Sequence, residues 1–361
     1  MASSLLNGER AVVALFVGRV VFSLPLSLLP HGLALSLLAI SALVLDVVAD
    51  SSAALLSRFH TRPGASSGIL LGAVTLPTVM ISKMIQLSRA FSLDQVAYQG
   101  SEAALKLSWM LCHGLAVVKL IQHVFRTFPS CASVGEACLV ASGLVLYFGD
   151  MLAYTIAKVS GFLIKSDMVQ YGSKTSEINI IIQPKFLDLA FGAALAVFLA
   201  LEIVRVWRIW PLGQFVHKFM SAFTDHRDSD LLIVSHFSLL LGCALPIWLS
   251  SGNNDRPLSP FSGILSLGIG DTMASVVGHK YGVLRWSKTG KKTIEGTAAG
   301  ITSVLAACSV LLPLLASTGY IVTEHWISIL VAVTVSGLLE AYTAQLDNAF
   351  IPLVFYSLLC L

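Results

Sequence analysis

Between residues 268 and 296 the chain reads Gly-Ile-Gly-Asp-Thr-Met-Ala-Ser-Val-Val-Gly-His-Lys-Tyr-Gly-Val-Leu-Arg-Trp-Ser-Lys-Thr-Gly-Lys-Lys-Thr-Ile-Glu-Gly. Asp271, Ala274, Gly278 and Gly282 fall at offsets of 0, 3, 7 and 11, which is one stripe of a helix. Such a smooth face lets another backbone, or a nucleotide, approach closely. Taken alone, small residues four apart are the ordinary packing face of membrane helices. The carboxylate at the head of the stripe is different, because an ionisable group beside an apolar span is costly and by default marks a functional site. A cationic loop follows and closes on Lys291-Lys292-Thr293-Ile294-Glu295-Gly296. Basic loops beside membranes also contact lipid headgroups, so the lysines decide nothing by themselves.

Further on, Leu-Leu-Glu-Ala-Tyr-Thr-Ala-Gln-Leu-Asp-Asn holds Glu340 and Asp347 at the end of an apolar run. Their separation is about two turns, so both share a face if the helix continues. Carboxylates opposite a lysine cluster suit Mg²⁺ and a nucleotide triphosphate; the plainer reading is a solvated helix end. A third cluster, Thr224-Asp225-His226-Arg227-Asp228-Ser229-Asp230, leads into a run carrying His236. There Asp228 or Ser229 could cap the helix, and His236 could bond a neighbouring helix. Upstream, Glu202, Arg205 and Arg208 recur at helical spacing as a salt-bridged interfacial face.

What must position these groups is a membrane. Apolar residues make up 56% of the 361 positions and charged residues 12%, about half the usual charged share of a soluble domain. Lipid leaves a bare backbone unpaired, and the Leu-, Ala- and Val-rich runs lack the alternation of barrel strands. The expected fold is therefore all-α, a polytopic integral membrane helical bundle of about 10–12 transmembrane helices. Spans are expected near 11–29, 32–49, 67–85, 103–121, 138–164, 186–204, 231–250, 261–279, 297–317, 321–339 and 349–361, the last short enough to cross only in part. Residues 1–185 read as accessory spans and 186–361 as the catalytic membrane domain. If the four runs from 231 to 339 are single crossings, the connectors 205–230, 280–296 and 340–348 share one side. That side carries Arg205, Arg208, Lys218, Arg227, Lys280, Arg285, Lys288, Lys291 and Lys292, against Arg256 alone opposite. Such a bias marks the cytosolic side. A net charge of +3 is too small to suggest nucleic acid, and six cysteines without CxxC spacing read as reduced packing residues. The N-terminal run shows no convincing cleavage site and reads as a first span.

These motifs resemble dolichol kinases and, more loosely, other CTP-using membrane lipid enzymes. The likeness runs from about residue 186 to the C-terminus. It is carried by Trp-Pro-Leu-Gly (210–213), Arg227-Asp228-Ser229, His236, Leu-Pro-Ile-Trp-Leu (245–249), Gly-Asp-Thr-Met-Ala-Ser (270–275), Lys-Lys-Thr-Ile-Glu-Gly-Thr (291–297) and Leu-Glu-Ala-Tyr-Thr-Ala-Gln-Leu-Asp-Asn (339–348). One departure is visible: the family's upstream Arg-Lys-x-x-His-type element is missing between Lys174 and Lys185, as in a shortened form.

The resemblance implies phosphorylation of dolichol by CTP in the endoplasmic reticulum membrane, with the CTP site facing the cytosol. The product, dolichyl phosphate, is the lipid carrier for protein glycosylation. It implies Asp271 as the main Mg²⁺ ligand, with Glu340 or Asp347 assisting. It further implies Lys291 and Lys292 on the phosphates, and Gly270, Thr272, Ala274, Ser275, Gly278, Gly282 and Gly296 along the nucleotide. The general base stays open among Asp228, Glu295 and His236. Two rivals stand beside this: a phytol-type kinase or CDP-lipid cytidylyltransferase, and a transporter using Asp150, Asp188 and Asp271.

Overall fold

The computed structural model describes residues 7–51, 61–62, 65–90, 114–127, 130, 132–145, 184–221, 233–250, 256–286, 292–317 and 325–361. Among them everything regular is helical apart from one isolated β-bridge between Arg285 and Thr293. The helices are α1 (Gly8–Phe22), α2 (Leu29–Ser51), α3 (Ile69–Ala90), α4 (Gly114–Thr127), α5 (Val134–Val145), α6 (Pro184–Trp207), α7 (Gly213–Ser221) and α8 (Val234–Ser250). A 3₁₀ turn at Ser259–Phe261 and a π-helical segment at Ile264–Asp271 lead into α9 (Thr272–Tyr281). Then come α10 (Ile294–Ser317), α11 (Trp326–Tyr342) and α12 (Asp347–Leu359).

Four of these helices are long and apolar enough to cross a bilayer: Leu26–Ser51, Ile69–Gln86, Leu189–Trp207 and Ile294–Ser317. Four shorter apolar ones, α5, α8, α11 and α12, accompany them. The protein is thus an all-α helical membrane protein, as composition requires.

The first boundary differs from the expected one. The first break falls at Ser23–Pro25, not between 29 and 32, so Leu26–Leu28 joins the second helix. Pro25 ends the first run, whereas Pro30 lies in the first turn of α2, where a missing N–H costs nothing. The last run is short, as expected: α12 has 13 residues and is not among the helices long enough to cross. Every residue of α12 from Phe350 to Leu359 is buried, as expected for a helix apolar all round. It packs against α3, α8, α11, the 3₁₀ turn and the π segment, and is the axis of the bundle.

One core runs through both halves of the chain. Phe16 and Val20 of α1, Leu35 of α2, Leu71 and Ile85 of α3 and Phe350 and Tyr356 of α12 belong to a single buried cluster. A smaller cluster joins α6, α7 and the start of α8 through Val216, Met220 and Ile233. Beside it Arg205 donates to Glu202 at 2.6 and 2.7 Å, and Glu202 also accepts from Ile233 N–H at 3.2 Å. Both side chains are buried, so this pair ties α6 to α8 and is not the interfacial face expected. Asp150 lies outside the described residues, and nothing is described of the Asp188 side chain.

Candidate functional site

The π segment ends on Asp271. A π-helical stretch widens the turn, and such stretches are frequent at functional sites. From Asp271 the small-residue stripe descends along α9, and another backbone occupies it. A Cβ on Gly278 would stand 2.9 Å from Thr293 Oγ1, and one on Gly296 would stand 2.6 Å from Ala274 O. A Cβ on Gly300 would likewise come within 3.0 Å of Gly270 O. Ala274, Gly278, Gly282 and Gly296 therefore bring α9 and α10 into backbone contact. Of the two occupants the stripe allows, it is a helix.

The chain between α9 and α10 folds back on itself. Ile294 N–H donates to Leu284 O at 2.8 Å and Trp286 N–H to Lys292 O at 3.2 Å. The Trp286 indole N–H reaches Thr297 Oγ1 at 2.9 Å, and its ring lies 5.1 Å from that of Tyr342. Glu295 accepts Leu284 N–H on both carboxylate oxygens, at 3.0 and 3.2 Å. The result aims Lys292 across to the end of α11: its Nζ donates to Glu340 O at 2.6 Å and to Asp347 Oδ2 at 2.9 Å. The pair is only partly exposed, Lys292 by 31% and Asp347 by 16%.

Glu340 lies in the last turn of α11, followed only by Ala341 and Tyr342. Burial raises its carboxyl to about 7; Lys292 opposes that shift, while Asp271 and Asp347 add to it. Asp271, Lys292, Glu340 and Asp347 thus meet at one end of the bundle, from four separate elements. Among the described residues no three His, Cys, Asp or Glu side chains stand close enough to enclose a metal ion. Of the acids gathered here, Asp271 and Glu340 would be the pair to hold a cation. That fits Mg²⁺, which is usually held by one or two carboxylates plus waters and substrate phosphates.

Glu340 and Asp347 do not share one continuous helix. The chain leaves helical geometry from Thr343 to Leu346, and α12 starts at Asp347. The two acids meet because the chain turns, and the turn is held by residues from the other half of the protein. Ala344 N–H donates to Glu9 at 3.4 Å, and Arg62 donates to Ala344 O at 3.0 Å. Leu346 N–H donates to Glu136 at 2.7 Å. Arg62 and Glu136 are themselves a buried ion pair at 2.7 Å. The Gln345 amide donates to Ser66 Oγ at 2.7 Å, its oxygen accepts from Ser133 Oγ, and Gln345 N–H meets Thr343 Oγ1 at 3.1 Å. Each backbone group of a non-helical buried turn needs a partner, and here side chains supply them.

None of Glu9, Arg62, Ser66, Ser133, Glu136 and Gln345 was singled out by its sequence. For Glu9, Arg62 and Glu136 the one signal was their type, charge in an apolar setting; Ser66, Ser133 and Gln345 gave none. Of the residues expected at the site, Lys291 and Asp228 lie outside the described residues. Thr272 and Ser275 are exposed on α9, and Gly270 is buried beside Asp271. His236 packs 6.3 Å from Phe198 of α6, its Nδ1 without a hydrogen-bond partner among the described residues.

These features define a polytopic α-helical membrane protein with an acid–lysine site at one end of its bundle. The chain is similar to dolichol kinase EVAN of Arabidopsis thaliana, 45% identical over 565 aligned positions covering 100% of this chain and 99% of that protein. It belongs to the dolichol kinase family. Human dolichol kinase is 43% identical over 190 residues, 50% of this chain and 35% of that protein. The Saccharomyces cerevisiae dolichol kinase is 36% identical over 170 residues, 46% and 30% respectively. The stretch shared with these two spans about a third of their lengths. The Arabidopsis alignment is longer than this chain of 361 residues, so that relative carries internal segments without counterpart here. No family model and no solved structure matches the chain.

Proposed function

We propose that the chain transfers the γ-phosphoryl group of CTP to the terminal hydroxyl of dolichol, giving dolichyl phosphate and CDP. The observation that carries this reading is the meeting of Asp271, Lys292, Glu340 and Asp347 at one end of a membrane bundle. It is supported by relatives named dolichol kinase. In the reaction the alcohol oxygen bonds to Pγ while the bond from Pγ to the CDP oxygen breaks. The proton of the alcohol passes to a base. Such a transfer has a loose transition state, so the protein contributes mostly position and charge.

Lys292 would meet the phosphates as a point charge, fixed in direction by Asp347 and Glu340 O. Asp271 and Glu340 would hold Mg²⁺, which when bound neutralises charge on the phosphate oxygens. The base stays open among Asp228, Glu295, which accepts Leu284 N–H, and His236, which lies against Phe198; each is to be replaced in turn. The site is read as cytosolic from its lysines, and the membrane as that of the endoplasmic reticulum, where dolichyl phosphate would supply protein glycosylation.

The test is purified protein with dolichol and CTP labelled on the γ-phosphate. Label should move into the lipid. Label released as pyrophosphate would replace this reading with a CDP-lipid cytidylyltransferase.

A further inference from the structure

The Trp-Pro-Leu-Gly stretch at 210–213 takes no part in the acid–lysine site; it turns the chain at the end of α6. Ile209 N–H donates to Val204 O at 3.2 Å and Gly213 N–H to Ile209 O at 2.7 Å, with Arg208 in the left-handed region at φ 47°. The turn is so close that a Cβ on Gly213 would stand 2.3 Å from the Arg208 carbonyl carbon, so a glycine opens α7. The turn folds α7 back against α6, and Val216 and Met220 bury beside Phe198, Val204 and Ile233. The opposite face of α7 is exposed. Phe215 and Phe219 are 70% and 60% exposed, their rings stacked at 6.4 Å. In the turn, Trp207 and Trp210 are 74% and 89% exposed, and Leu212 is exposed with them. Arg208 of the turn and Lys218 of α7 are exposed too.

We infer that this aromatic ledge anchors the protein in the headgroup layer of the bilayer, its rings among the first carbons of the acyl chains and Arg208 and Lys218 on lipid phosphates. The inference is independent of the reaction. What adjoins the ledge selects its occupant. The stretch Leu189–Trp207 of α6 is long and apolar enough to cross, and only 11% of it is buried within the protein. Lipid therefore surrounds most of α6, and the ledge begins where α6 ends. Tryptophan gathers at that boundary, where one end of the ring is apolar and the other is wet. With nine residues, α7 is about 13 Å long, too short to cross about 30 Å of hydrocarbon. An aromatic face with Lys and Arg beside it is the pattern of helices that lie in the interface. The 205–230 connector belongs to the lysine-rich side read from the sequence, where the leaflet carries anionic headgroups. A second copy fits less well. The single acid between 189 and 221 is Glu202, held inside by Arg205, so two ledges face to face would bring together cations alone.

Depth-dependent fluorescence quenching tests this on the full chain in lipid nanodiscs. The quenchers are phosphatidylcholine brominated near the headgroup, phosphatidylcholine brominated near the chain end, and acrylamide in the water. Trp207→Phe with Trp210→Phe gives the signal of the turn by difference from the other tryptophans, and Phe215→Trp puts a second reporter on α7 itself. All four sites are exposed or accept another aromatic ring, so melting temperatures should match wild type, and either reporter decides the matter without the other. Both should be quenched most by the shallow bromines, at a depth of about 5–10 Å, and little by acrylamide. Adding phosphatidylserine should increase the shallow quenching, and Arg208→Gln with Lys218→Gln should abolish that increase. Stronger quenching by acrylamide than by lipid would put the ledge in water. Stronger quenching by the chain-end bromines would put it near the middle of the bilayer, and quenching by none of the three would put it under protein. Each of these outcomes overturns the anchor. No increase with phosphatidylserine, or one that survives the loss of both cations, overturns the phosphate contacts of Arg208 and Lys218.

Discussion

Asp271 and Lys292 have different parts at the site, and the labelled-CTP assay separates them. Asp271→Asn keeps the shape and removes the charge, so label transfer should fall on the order of 10²–10³ with the melting temperature nearly unchanged. Lys292→Met should lower transfer by a similar factor and also take the neutralising cation from Asp347, whose carboxylate would then repel Glu340 and the phosphates more strongly. Adding Asp347→Asn to Lys292→Met should recover stability but not rate, read from melts and label transfer side by side. Glu340, at the same end, and Glu9 beside the 343–346 turn have carboxyls raised by burial from 4.5 to about 7. The folded state therefore keeps protons that the unfolded chain releases above about 4.5. Stability from these two groups is full below that pH and is lost as pH rises through 7. Melting temperatures in micelles should fall over that window, and Glu9→Gln with Glu340→Gln should flatten the fall.

At the level of elements, the contact between α9 and α10 sets the distance between Asp271 and the lysine turn. Gly296→Ala places a methyl 2.6 Å from Ala274 O, a backbone atom that yields only if the helix moves. Overpacking of this kind costs about 1–3 kcal/mol, and here it should also lower label transfer by moving Asp271 away from Lys292. Gly18→Ala is the matched control: its Cβ meets nothing within 4 Å inside α1, so it should stabilise by about 0.5–1 kcal/mol and leave transfer unchanged. Thermal melts and the γ-label assay on both variants check the pair. Much of this level was legible in the sequence. The stripe from Asp271 to Gly282 has a helix period, and the nine-to-one bias in Lys and Arg put its acid, the lysine turn and the Glu340–Asp347 pair on one side. The connector at 340–348 was legible as the gap between two apolar runs; that the helix continues through Glu340 to Tyr342 and turns only at Thr343-Ala344-Gln345-Leu346 was not, because that stretch contains neither Gly nor Pro. Nor was the central place of α12, since a helix apolar on every side gives no direction for its face.

Across the whole molecule, the site is held from the half of the chain that the motifs do not reach. Arg62, Glu9 and Glu136 are single charged residues among apolar runs, and Arg62 lies 282 positions from the Ala344 carbonyl it meets. Periodicity and spacing carry no information over such separations, so residues 1–185 read as accessory spans without showing that parts of them share the core and hold the 343–346 turn. The bracing makes a prediction that neither half would make alone. Arg62→Ala leaves Glu136 buried without its cation, which costs about 3–5 kcal/mol for a pair of this kind. It also releases the Ala344 carbonyl, so the 343–346 turn loosens and Glu340 and Asp347 drift from Lys292. Label transfer should then fall at temperatures well below the melt, although Arg62 touches neither phosphate nor lipid. Changing Arg62→Met together with Glu136→Gln removes both charges and keeps the volume. That double variant should recover most of the melting temperature, while transfer recovers less, because Ala344 O is still without its donor. If transfer in Arg62→Ala matched wild type wherever the protein is folded, the N-terminal helices would be scaffold only and the turn would hold its shape by itself.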